Sequence, residues 1–135
     1  MDVEWSATSP QTRRVGAVMR TDFQELEDRF VELRSLGEGY LEVALLMEDS
    51  PQVSLGFRGD HGVVEQLRVL DEEPKSFLLV GDGTVAPNRK VDVPIMNDDS
   101  GFSGDFVMSV DRAWEAVRGF VRTGSPVDAG EWYEL

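Results

Sequence analysis

Residues 95–106, IMNDDSGFSGDF, bring Asp98, Asp99 and Asp105 together with Ser100 and Ser103 around Gly101 and Gly104. Carboxylates at close spacing can hold a divalent cation, and a serine between glycines can be a nucleophile. Acid gathered without base can instead receive a basic partner. Each chemistry needs its neighbours in a definite order. A calcium loop needs the pattern D-x-[DN]-x-[DN]-G with a glutamate six residues beyond the glycine. Counted from Asn97, Gly101 falls a residue too early, and position 107 is Val107. With no cysteine and one histidine, His61, thiolate and multi-histidine zinc sites are excluded as well.

Serine chemistry fares no better. Gly101-Phe102-Ser103-Gly104-Asp105 lacks the final glycine of G-x-S-x-G, and it does not follow a strand that enters a helix. His61 lies in RGDHG, where nothing in the sequence fixes it against a serine. Gly81, Gly83 and Ala86 satisfy the loose spacing G-x-G-x-x-A, but Pro87 and the alternating Val91, Val93 and Ile95 describe a hairpin, not a phosphate-binding helix start. The residues therefore imply no catalytic constellation, no cofactor and no dedicated metal site. A binding protein is expected, not an enzyme. The alternative is a small cytoplasmic enzyme or metal-binding domain built around the aspartate loop 97–105.

Charge favours the binding protein. The net charge is −13, from 26 acidic and 13 basic residues. Between Val91 and Asp111 stand Asp92, Asp98, Asp99, Asp105 and Asp111 with no lysine or arginine. Such a surface repels nucleic acid and anionic lipid and attracts a basic protein. The expected partner-binding set is Asp92, Asp98, Asp99 and Asp105, with Phe102 as an apolar anchor and the glycines keeping the loop exposed and adaptable.

The elements that must position this loop can be read from periodicity. Phe23, Leu26, Phe30, Leu33 and Leu36 recur at helical spacing, with Thr21 as cap, Gln24 completing a capping box, and Gly37 and Gly39 as stop. Alternation then predicts strands around Leu41–Met47, Val53–Phe57, Val63–Leu70, Phe77–Val80 and Val91–Ile95, with Pro94 pointing the last toward an edge. A second helix begins at Ser109 or Asp111, turns Val110, Ala113, Trp114, Val117, Phe120 and Val121 to one side, and ends at Gly124 before Pro126. The terminal AGEWYEL is placed to return Trp132 to the sheet. Short links favour antiparallel neighbours. The expectation is an α+β fold with an antiparallel sheet of about five to six strands and two main helices.

The 135 residues predict a single domain, residues 1–135, with residues 1–12 as a loose tail or short edge strand. No apolar run approaches the ~20 residues of a membrane span, and the opening residues lack signal-peptide order. The expected location is cytoplasmic.

VPIMNDDSGFSGDFVMSVDRAWEAVRGFVRTGSPVDAGEWYEL, residues 93–135, resembles the C-terminal half of a bacterial immunity-protein family from polymorphic-toxin systems, immunity family one. The likeness rests on a final helix with Phe120 before Thr123-Gly124, then Pro126 and Trp132, although the Pro-to-Trp spacing is slightly longer than the pattern. The resemblance implies a small α+β antidote that binds and blocks a cognate toxin, often a nucleic-acid deaminase, without an active site of its own. It supplies no binding residues to transfer.

Overall fold

Val3, Trp5 and Ala7 alternate with Glu4 and Ser6, and that alternation makes Asp2–Thr8 a strand, β1, in a computed structural model that describes residues 2–11 and 16–135. This corrects the expected loose tail or edge strand. Val3, Trp5 and Ala7 are buried, and β1 lies inside the sheet, not at its edge. Residues 1 and 12 of that stretch lie outside the described residues.

Strand β2 (Met19–Asp22) leads into helix α1 (Phe23–Ser35). The cap is Asp22, not Thr21: its side chain accepts the Glu25 backbone N–H at 3.0 Å. Thr21 serves the neighbouring strand, its hydroxyl oxygen accepting the indole N–H of Trp5 at 2.8 Å. Four strands follow: β3 (Glu38–Leu45), β4 (Gln52–Arg58), β5 (His61–Leu70) and β6 (Glu73–Leu79). After a long connection come β7 (Lys90–Ile95), β8 (Asp98–Ser103) and a short 3-10 turn, Gly104–Phe106. The two-residue β9 (Met108–Ser109) precedes α2 (Val110–Thr123), and β10 (Trp132–Glu134) comes last.

The fold is α+β, and its sheet is larger than expected. Eight strands form the main sheet, in the order β10-β6-β5-β4-β3-β1-β2 with β9 beside β5, while β7 and β8 make a separate two-stranded sheet. Every pairing is antiparallel. Because β2 and β3 both run antiparallel to β1, they are parallel to each other, and α1 is the crossover between them.

One face of the sheet is covered by helices. Leu26, Phe30 and Leu33 of α1 and Ala113, Trp114, Val117, Phe120 and Val121 of α2 bury against Val43, Val53, Leu55 and Phe57. Trp114 stacks on Phe30 with ring centroids 4.1 Å apart. Ser109 caps α2 through the Arg112 N–H, and Gly124, at φ 81°, closes it.

The other face carries the β7–β8 hairpin. Val93, Val107, Val63, Leu78 and Val85 form a second, smaller core beneath it. Gly56 of β4 makes the docking possible, since a side-chain carbon there would collide with the backbone oxygen of Pro94. The expected strand Val91–Ile95, which is β7, therefore stands outside the main sheet and packs on its face. Pro94 tolerates this because, among the described residues, β7 has one partner strand and the missing N–H breaks no second ladder.

Candidate partner-binding hairpin

The stretch read as a loop over 97–105 is β8 with the 3-10 turn that follows. Its register is set by a two-residue turn, Met96-Asn97, which places Ile95 opposite Asp98. Residues opposite one another in an antiparallel pair share a face. Val91 with Phe102 and Val93 with Ser100 share the sheet-facing side, while Asp92 and Asp99 are exposed on the outer side, with Pro94 between them buried where its backbone docks on Gly56.

This geometry divides the expected binding set. Asp92 and Asp99 are exposed and share the outer face. Asp98 is exposed at the tip, and Asp105 is exposed in the 3-10 turn at the opposite end of β8. Phe102 is not a free anchor. It is half-buried and packs on the small core of Val63, Leu78, Val85, Val93 and Val107, so it fastens the hairpin to the sheet. Gly101 does not keep the strand loose either. The stem of Lys90 crosses directly over it, where a side chain would have to displace that lysine.

Tertiary structure also adds base where the sequence has none. Arg58, from the hairpin-covered face of β4, donates to Asp99 Oδ1 at 2.9 Å, to Glu38 Oε2 at 3.2 Å and to the Asp92 carbonyl at 3.2 Å. Burial pulls the Arg58 guanidinium down, but its bonds to Asp99 and Glu38 and their charges outweigh that and raise it above the usual arginine value. Sequence reasoning missed Arg58 because it stands far from Asp99 in the chain. The pairing holds the hairpin in place, and of Asp92, Asp98, Asp99 and Asp105 it makes Asp99 the one in an ion pair among the described residues.

The tip is seated on the end of β1. Thr8, Ser9, Pro10 and Glu38 face Pro94, Met96 and Asp98 across a gap of about 10 Å³, room for one water at most.

The other chemistries find no geometry among the described residues. Ser103 is occupied as a cap, accepting the Asp105 N–H at 3.2 Å and lying 3.0 Å from the Pro87 carbonyl, while His61 pairs with Ser109 in the main sheet. No helix begins at Gly81 or Gly83. Asp82 instead accepts from the backbone of Thr84 and Ser109. Burial pushes the Asp82 carboxyl up, but these bonds and the Thr84 hydroxyl hold it below its ordinary value. Among the described residues, no three His, Cys, Asp or Glu side chains are grouped to hold a metal ion.

Beside the hairpin, the same sheet face is acidic. Glu42 accepts the Tyr40 hydroxyl at 2.9 Å, and Ser54 separates Glu42 from Glu65 across adjacent strands. Burial pushes the Tyr40 phenol well above its usual value, helped by the charges of Glu42 and Glu65. Burial also raises the Glu65 carboxyl.

No family model matches the chain, and no curated protein matches it. Among the described residues, no helix is long and apolar enough to cross a membrane.

Proposed function

We propose that this chain is a cytoplasmic immunity protein that binds and neutralises a cognate bacterial toxin, a nucleic-acid deaminase or nuclease. The observation that carries the reading is the hairpin itself, a braced projection on the open sheet face that displays Asp92, Asp98 and Asp99 to solvent. A toxin that acts on nucleic acid needs a basic cleft, and a rigid acidic projection can occupy that cleft in place of the phosphate backbone. The net charge of −13 supports the same partner and disfavours nucleic acid as a ligand. The sequence resemblance to immunity family one points the same way. Electrostatic steering raises association rates to ~10⁸ M⁻¹s⁻¹ or more at low salt, which suits an antidote that must act before damage accumulates.

The test is capture of the inactivated C-terminal toxin domain encoded directly upstream, followed by stopped-flow association across a range of salt. Changing Asp98 and Asp99 together to Lys should slow association about tenfold or more at low salt and flatten its salt dependence. Loss of the Arg58 pair should lower Tm by no more than about 2–3 °C, as for an exposed ion pair. Unchanged association rates in the double variant would place the contact elsewhere on the molecule.

A further inference from the structure

We propose that Met96 is the apolar anchor of this hairpin, inserted into an apolar pocket that basic side chains surround on the partner protein. The inference rests on the hairpin reading above and adds the residue that grips. Met96 and Asn97 form the two-residue turn of β7–β8, and Met96 is held at φ 56°. The fold contains the same turn elsewhere. Gly59 and Asp60 join β4 to β5 across Arg58 and His61, with Gly59 at φ 58°. In both turns the first central residue has positive φ and the second does not. Glycine is favoured there because it has no side-chain carbon to clash with the backbone.

At the β4–β5 turn the sequence supplies that glycine, and at the hairpin tip it supplies methionine. Met96 is 50% exposed, with the rest of its surface turned to the end of β1, so half of the side chain remains free for a partner. Strained residues that the surrounding structure gives no reason for are commonly functional. A methionine side chain is unbranched and adapts to irregular apolar pockets, which suits an anchor at a projecting tip. Asp98 and Asp99 follow within three residues, so any surface that receives Met96 must also meet their charge, and lysine or arginine satisfies it. The other large apolar side chains of residues 95–106, Ile95, Phe102 and Phe106, pack on the small core beneath.

The experiment uses the full chain and the inactivated toxin domain encoded directly upstream, with three variants. Met96→Gly should raise Tm by about 2–4 °C by releasing the strained backbone. It should also accelerate dissociation about tenfold or more and leave the association rate within about twofold. Met96→Leu, which keeps both strain and apolar bulk, should dissociate within about threefold of the native rate. The Asp98/Asp99 double lysine variant reports separately on the hairpin. If it slows association while Met96→Gly dissociates at the native rate, the anchor is wrong and the acidic hairpin stands. If Met96→Gly fails to raise Tm, the strain argument behind the anchor is wrong. If neither variant changes a rate, or the native chain does not bind the domain, both the anchor and the hairpin reading fall.

Discussion

At the scale of single residues, the open sheet face carries a group that works against the fold at neutral pH. The Glu65 carboxylate makes no hydrogen bond or ion pair among the described residues, and burial raises it above the ordinary 4.5. A raised carboxyl means that the folded chain holds its proton more tightly than the unfolded chain. The stability this contributes is complete below 4.5 and is lost as pH rises through the raised value. Glu65→Gln, which keeps the shape and removes the charge, should therefore raise Tm at neutral pH by about 1–2 °C. The gain should vanish below 4.5. Paired thermal melts of the two proteins across that range check it. A constant difference at all pH values would mean that the amide acts through packing and not through the lost charge.

Among the elements, α2 is the one on which the helical layer depends. Trp114 lies against Phe30, with Phe23 stacked at 5.8 Å on its other flank. Phe30 in turn meets the Phe57 ring edge-on at 5.8 Å. Trp114→Ala should destabilise the fold by about 3–5 kcal/mol, the usual range for truncating a large buried aromatic. Chemical denaturation measures this, and a change within about 0.5 kcal/mol would mean that the ring is not packed as described. Both helices were legible in the sequence because their apolar spacing and end signals agree, but the first cap is Asp22 in place of Thr21, Gln24 donates to Asp28 instead of closing a capping box, and Leu36 is an exposed C-cap. The strands of the hairpins were harder to read, for one physical reason. The β5–β6 turn uses Asp71 and Glu72 at φ 52° and 66°, and the β7–β8 turn uses Met96 at φ 56°. Residues at positive φ are normally announced by glycine. Without it, the start of β6 at Glu73 reads as a charged turn, and β8, built from aspartate, serine and glycine, reads as a loop. The candidate stretch thus forms a strand and a 3-10 turn where its composition suggests a loop. Phe102 was assigned the wrong direction, and Arg58 was invisible because only the fold brings it near.

For the whole molecule, excess acid is a load that the fold carries continuously. Arg34 with Asp111, Arg118 with Glu27 and Arg58 with Asp99 compensate part of it, but with 26 acidic residues to 13 basic ones a large excess of carboxylates remains. Self-repulsion of that kind opposes compaction, and added salt screens it over about 10 Å at 0.1 M. Tm should rise by about 2–5 °C between low salt and roughly 0.3 M sodium chloride. A fall over that interval would show that attractive pairs, not repulsion, dominate the surface. The position of β1 has a consequence for how the chain is made. Val3 pairs with Leu45 on one side and Thr21 on the other, so β1 is gripped on both sides by segments synthesised after it. Until β3 has emerged, Val3, Trp5 and Ala7 have no finished surface to bury against. The nascent β1 must wait, exposed, for its own slot to be built.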